Sequence, residues 1–338
     1  MYRGIFKFIK SQDAYSSTEK KWFVSLLQTE CFWYDMLLAP PEEVNTRKLI
    51  KEHIQSIEGY LENNIEKRFI YFLGSRKKVR FSTKYTPKYS HAKNELNLIL
   101  LVGKNREKKK ITVPDFFYDQ TIRYNTDIVF EVTDKYLYLK VDNVIIDICS
   151  IHDFLRERYI NLGYNTEVHY VGYTKNPQSR PIDGIHRGFS NMLYNTSNED
   201  NDFFVFFNLF NPTSLSSNDS YNMNFCISNS LMNEIDLDKE GKIIEKCFIN
   251  YFNSVIQNNE ITGLTKNLRN FANKYNMRSI AINLEYESPN EYYSYYSRCI
   301  TPRFHHFFVF KLDGKNLFLD KKIDKDTYLK SSPLYINE

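Results

Sequence analysis

The apolar runs of this chain are short. The two longest, Leu96–Val102 and Phe203–Phe210, are interrupted by Asn97 and Asn208. Runs of that length suit buried strands and fall far below the roughly 20 residues of a bilayer-spanning helix. The chain must therefore build its core from many short elements. From Arg68 to Cys149 the texture is β: Phe69–Leu73, Leu96–Val102, Ile128–Val132, Tyr136–Val141 and Val144–Cys149 are β-branched or aromatic runs parted by Gly, Asn, Asp and Pro. Val141-Asp142-Asn143-Val144 reads as a tight hairpin turn.

Flanking segments carry helical signals. Ser16-Ser17-Thr18-Glu19 has the form of a capping box, and Trp22, Phe23, Leu26, Leu27, Phe32, Trp33, Met36 and Leu37 follow at mostly helical spacing, which predicts a helix ended by Pro40-Pro41. Thr46–Glu66 predicts a second, amphipathic helix. Beyond residue 150 the pattern alternates. Helices are expected over 152–162, 185–194, 240–255 and 262–275. Strands are expected over 167–173, 203–210, 223–227, 279–284 and 306–312, with 211–219 as a polar loop. The expectation is an α+β protein of two parts, with a soft boundary near residue 140. Residues 1–140 would hold helices and a basic β-sheet, and residues 141–338 an α/β core with insertions and a C-terminal extension.

Charge is uneven. Between Lys67 and Lys110 stand 14 Lys or Arg against Glu95 and Glu107, whereas the whole chain nets only +4. Acids gather in 194–240. Tyr71, Phe72, Phe81, Tyr85 and Tyr89 interleave with the cations, the mixture with which proteins track phosphates and stack on bases. Arg76, Lys77, Lys78, Arg80, Lys108, Lys109, Lys110 and, further on, Arg187 are thus candidate nucleic-acid contacts. The competing reading is a solvated β-sheet face whose lysines protect its edges. Five scattered cysteines without a Cys-x-x-Cys pair exclude a zinc ribbon and read as reduced thiols of a cytoplasmic protein. The N-terminus lacks the continuous apolar stretch of a signal peptide. No Walker loop, Rossmann glycine pattern or serine nucleophile elbow is present.

The most informative segment is His169-Tyr170-Val171-Gly172-Tyr173-Thr174-Lys175-Asn176-Pro177, with Arg180 ten residues after Tyr170 and Gly184-Ile185-His186-Arg187-Gly188 beyond. A strand ending in Tyr-Val-Gly, a turn, and Arg at that spacing resembles the second half of the GIY-YIG nuclease motif. The resemblance spans roughly residues 144–259. It implies a metal-dependent endonuclease that cleaves DNA, of the kind found in restriction and phage defence, with Mg²⁺ or Mn²⁺ as cofactor. Arg180 would stabilise charge on the phosphoryl oxygens, Glu245 would hold the metal on a later helix, and Tyr170 or His186 would orient or deprotonate the attacking water. Asn258 or Asn259 would supply the family's late Asn. The family's first strand, Gly-Ile-Tyr or similar, is expected about ten residues before Tyr170. Residues 159–164 read instead as a helix end and loop, so Val144–Cys149 is assigned to it, without the family's first Tyr. That gap keeps open an alternative: a catalytically inactive nucleic-acid-binding or regulatory protein on the same scaffold. No membrane association is expected, and a homodimer or a partner protein is compatible with either reading.

Overall fold

The structure, a computed structural model, describes residues 3–38, 40–64, 68–118, 128–178, 181, 187–253, 257, 261–288, 290–313 and 316–330. It is α+β, dominated by one large curled sheet. Short helix α1 (Asp13–Ser16) leads into strand β1 (Lys20–Trp33), followed by α2 (Tyr34–Leu38) and α3 (Thr46–Asn64). Next come β2 (Phe69–Lys77), β3 (Val79–Phe81), β4 (Lys88–Ser90), β5 (Glu95–Val102), β6 (Glu107–Val113), β7 (Ile128–Val132), β8 (Tyr136–Val141) and β9 (Val144–Ser150). Helix α4 (Ile151–Glu157), β10 (Thr166–Thr174), α5 (Arg187–Asn195), β11 (Asn201–Asn218), β12 (Met223–Ser228), α6 (Asn229–Met232), α7 (Leu237–Phe252) and α8 (Ile261–Lys274) follow. The chain continues through β13 (Met277–Leu284), β14 (Tyr295–Ser297), β15 (Ile300–Arg303), β16 (His306–Asp313), β17 (Asn316–Asp320) and α9 (Lys325–Lys330).

The ten-stranded sheet runs β15-β14-β10-β2-β11-β1-β13-β16-β17, with β12 also paired to β11. Strand β2 sits between β10 and β11, antiparallel to both. Its residues alternate between two cores. Ile70 and Phe72 join the larger cluster with Val171, Phe206 and the α7 residues Ile244 and Phe248. Phe69, Tyr71 and Leu73 join a second cluster with Tyr34, Ile50, Ile54, Phe189 and Met192 of α2, α3 and α5. Thus α7 lies on one face of the sheet, and α2, α3 and α5 lie on the other. A strand buried on both faces needs no polar alternation, which is why Phe-Ile-Tyr-Phe-Leu reads as a continuous apolar run.

Three sequence expectations are corrected. The helix expected through Leu37 is mostly strand β1. Its buried Trp22 and Val24, and its buried Cys31 and Trp33, alternate on either side of a register shift between Leu26 and Gln28, and its edges are taken by β11 and β13. The polar loop expected over 211–219 is the second half of β11, held between β1 and β12, with the Ser214 hydroxyl bonded to Tyr15 at 2.8 Å. The boundary near residue 140 falls in the β8–β9 hairpin, where Asp142 and Asn143 adopt positive φ, and the large sheet draws strands from both sides of it. Residues 78–165 instead form an excursion between β2 and β10. They build a β3-β5-β4 sheet, with β6 on the other edge of β5, and a β7-β8-β9 sheet.

A buried ionic knot joins β2's entry to the helical layer. Arg68, 1% exposed, lies 2.7 Å from Glu240 on α7, whose other oxygen meets Arg3 at 2.6 Å and Asn229 at 2.6 Å. Burial pulls the Arg68 guanidinium down to about 10. Removing one cation leaves a buried carboxylate undercompensated. Arg68→Met should therefore cost about 3–5 kcal/mol in urea unfolding, and a second change, Glu240→Gln, should recover part of that loss.

Candidate active site and basic face

Strand β10 carries the Tyr-Val-Gly segment as expected, but its antiparallel partner is β2, not Val144–Cys149. The latter, β9, lies in a different sheet. The register sets Tyr71 opposite Gly172 and Phe72 opposite Val171, after an irregularity between Val168 and Tyr170. The segment Phe69-Ile70-Tyr71 therefore takes the pairing with the Tyr-Val-Gly strand that was assigned to Val144–Cys149. The Tyr71 ring crosses β10 over Gly172: a Cβ there would stand 2.2 Å from Tyr71 Cζ, so only glycine fits. Tyr71 and Tyr170 stack with centroids 6.0 Å apart. Sequence reasoning missed Tyr71 because residues 78–165 separate the two strands.

Tyr170 and Tyr173 face opposite sides, as expected for a strand. Tyr170 packs with the second cluster and Tyr173 with the larger one. Gly241 of α7 lets the helix settle on the Tyr173 ring, since a Cβ at that position would meet Tyr173 Cε2 at 2.3 Å. Strand β14 pairs with β10 only at Thr166 and Glu167. Beyond that point, side chains continue the ladder. Gln257 Oε1 accepts from the Val171 N–H at 2.9 Å, and its Nε2 donates to the Val171 carbonyl at 2.8 Å. Glu245 Oε1 accepts from the Tyr173 N–H at 2.9 Å. Glu245 thus reaches the Tyr-Val-Gly strand at its edge, from a helix on the face opposite the Tyr170 ring.

Arg180, His186, Asn258 and Asn259 lie outside the described residues, as does the side chain of Arg187, whose backbone opens α5. The chain on either side of Arg180 is anchored on the tyrosine face. Tyr34 donates to the Pro181 carbonyl at 3.1 Å and stacks on Phe189 at 3.9 Å, while Gln178 bonds the Glu58 carboxylate of α3. Glu58 is a second carboxylate that sequence spacing did not single out. Nearby, His169 Nε2 shares a 2.7 Å hydrogen bond with Ser75, and burial pulls the ring down to about 4. Glu167 approaches the same nitrogen at 3.9 Å rather than the other one, and Ser75 is buried, so this pair ties β2 to β10 and is not a nucleophile with its relay.

Much of the expected basic surface is neutralised inside the protein. β2 and β11 pair across the junction of the basic and acidic stretches, with Lys77 opposite Asn201 and Arg76 opposite Asp202. Arg76 is buried, 2.6 Å from Glu291, with its guanidinium 3.9 Å from the Tyr292 ring centroid. Arg80 lies 2.8 Å from Asp202 beside Trp33, and Lys77 lies 2.6 Å from Asp200. Lys78 bonds the Asn198 carbonyl, and Lys109 bonds the Leu162 carbonyl at 3.0 Å over Tyr164. Arg76, which is buried, and Arg80, which is partly buried, are therefore committed to internal ion pairs rather than presented as free nucleic-acid contacts. Exposed cations remain on the outer face of the β4-β5-β6 sheet and in its turns, at Lys93, Lys104 and Arg106. Lys108 and Lys110 stand opposite Leu101 and Ile99, Lys88 stands opposite Asn97, and Lys84 and Tyr85 are exposed beside them. Lys108 donates to the Tyr85 hydroxyl at 3.0 Å.

Among the described residues, no three His, Cys, Asp or Glu side chains form a metal-binding group. Among the described residues, Glu245 is the carboxylate that reaches the Tyr-Val-Gly segment itself, while Glu167 lies toward the start of β10 and Glu58 meets Gln178 just beyond its end. One such carboxylate suits Mg²⁺, which takes one or two carboxylates and completes its shell with water and phosphate oxygens. No protein-family model, curated protein or solved structure matches the chain.

The contact between Tyr71 and Gly172 is directly testable. Gly172→Ala should destabilise the protein by about 1–3 kcal/mol in urea unfolding, the range for overpacking a filled interior. Combining it with Tyr71→Leu should give a loss smaller than the sum of the single losses, because both changes act on one contact.

Proposed function

We propose that the chain is a metal-dependent endonuclease built on a GIY-YIG-like core in which β2 and β10 are the two motif strands. The observation that carries this reading is their register, which stacks Tyr71 beside Tyr170 and passes its ring over Gly172. On this reading the two phenols orient the attacking water, and Arg180, ten residues after Tyr170, stabilises charge developing on the phosphoryl oxygens. Glu245 holds one Mg²⁺ or Mn²⁺, which when bound supplies Lewis acidity at the phosphate. Lys84, Tyr85, Lys88, Lys108 and Lys110 hold DNA at a distance from the reacting centre. A cytoplasmic location agrees with five cysteines that are all free thiols. No described helix is long and apolar enough to cross a membrane.

A second reading, a nucleic-acid-binding protein without cleavage, is favoured by one observation. Glu245 already uses an oxygen to complete the β10 ladder, from a helix on the face opposite Tyr170. Substitutions separate the two readings. Glu245→Gln keeps the acceptor for the Tyr173 N–H, so the fold should hold, whereas Glu245→Ala should cost about 1–3 kcal/mol by orphaning that donor. In a Mn²⁺ assay on plasmid and single-stranded DNA, Glu245→Gln and Arg180→Ala should each lower the cleavage rate by about 10²-fold or more. A wild-type rate no higher than that of these variants rejects the nuclease. The fourfold change of Lys84, Lys88, Lys108 and Lys110 to Gln should weaken DNA binding and flatten its salt dependence, by about 0.9 in log–log slope for each phosphate no longer neutralised. An unchanged slope rejects this face as the DNA-binding surface under either reading.

A further inference from the structure

A cavity of about 320 Å³ lies between the β7-β8-β9 sheet, helix α4 and the segment after β6. It is remote in function from the tyrosine pair and plays no part in the cleavage proposed above. Phe116, Phe117, Phe130, Leu139 and Phe154 form its walls. The register of the small sheet is informative. Phe130 stands opposite Leu139, and Leu139 opposite Asp147, so Asp147 shares the face of the sheet that is otherwise lined by apolar side chains. Glu157, at the end of α4, contributes a second carboxylate to the lining. Both carboxylates are exposed to solvent; neither side chain is hydrogen-bonded or ion-paired among the described residues, although the Arg156 and Arg158 charges act on Glu157, and the neighbouring Asp153 is held by Arg156 at 2.8 Å.

The surroundings are electronegative. Burial, followed by the Asp153 charge, pushes the Glu157 carboxyl above its usual range. Burial and then the charges of Asp153, Glu157 and Asp147 push the Cys149 thiol up. The one cation in the lining, Arg158, stands 4.4 Å from the Phe116 ring centroid. The cavity thus has aromatic walls of a kind that already receive a cation face-on, and it has one more carboxylate than guanidinium. An anion would be repelled there. A neutral apolar molecule would use the ring walls and gain nothing from the two carboxylates, which face solvent. A cation with an apolar body answers both needs at once, through ring faces and through charge.

We infer that this cavity is a binding site for a small organic cation, an ammonium carried on an apolar or aromatic body. The test is calorimetric titration of the full chain with phenethylammonium, alongside 2-phenylethanol and phenylacetate as neutral and anionic counterparts of the same shape. The ammonium should bind saturably and at least about tenfold more tightly than the alcohol, and phenylacetate should not bind. Asp147→Asn and Glu157→Gln, which keep side-chain shape, should each weaken ammonium binding while leaving alcohol binding and the melting temperature unchanged. Arg158→Gln should strengthen it. Absence of saturable ammonium binding at millimolar concentration, equal affinity for the alcohol, or ammonium binding indifferent to both carboxylate changes would overturn the inference. A failure here would leave the nuclease reading untouched, since neither the probe nor the variants involve β2 or β10.

Discussion

Strand β2 is the constraint on which the rest of the structure depends. It is buried on both faces and paired along both edges, so every neighbouring layer must be in place for it to exist. Its odd residues require α2, α3 and α5, and its even residues require α7. Its two edges require β10 and β11, which come from distant parts of the chain. Pairing across such separations carries a closure cost that grows only slowly with loop length, so the excursion of residues 78–165 is thermodynamically tolerable. It is kinetically demanding, because β2 stays an unpaired apolar strand until β10 and β11 arrive.

The same pairing resolves the chain's charge asymmetry. The basic and acidic stretches look like separate functional surfaces in sequence, yet β2 and β11 bring their ends together. Arg80, Lys77 and Lys104 find Asp202, Asp200 and Glu199. Asp202 shows how closely matched the opposing effects are. Burial alone would raise its carboxyl, but the hydrogen bond and charge of His152, the charge of Arg80 and the Val79 N–H together hold it below the usual range. Of the basic stretch, Lys88, Lys108 and Lys110 on β4 and β6 stay in solvent, together with Lys84, Lys93, Lys104 and Arg106 in the adjoining turns, so any polyanion surface formed by this stretch centres on that small sheet.

Local signals in the sequence were sound where a segment's own period decided its structure. Thr46–Asn64, the β8–β9 hairpin with its Asp-Asn turn, and the Tyr-Val-Gly strand are of this kind. Segments whose structure depends on distant partners were misread. The rings of β1 at Trp22, Phe23, Phe32 and Trp33 satisfy helical spacing and strand alternation alike, and the parallel pairing with β13 decides between them. The serines and asparagines after Phe210 resemble a loop until β1 and β12 supply partners on both edges. In the candidate site, Glu245 does reach the strand that carries Tyr170, while Tyr71, read only as a ring among the cations, was not linked to it because nothing local ties Phe69-Ile70-Tyr71 to a glycine so far along the chain. The charge run misled for the complementary reason, since composition does not reveal which cations have buried acids waiting for them.

As a proposed catalytic core, the β2–β10 pair must do more than hold the centre of a sheet. The measurement that tests this most directly is the Mn²⁺-dependent cleavage rate of Tyr71→Phe, which keeps the ring over Gly172 and removes only the hydroxyl. If the hydroxyl takes part in orienting or activating water, the rate should fall by about 10²-fold or more while DNA affinity stays at its wild-type value. A variant that cleaves at the wild-type rate would contradict the claim and leave the tyrosine pair as packing.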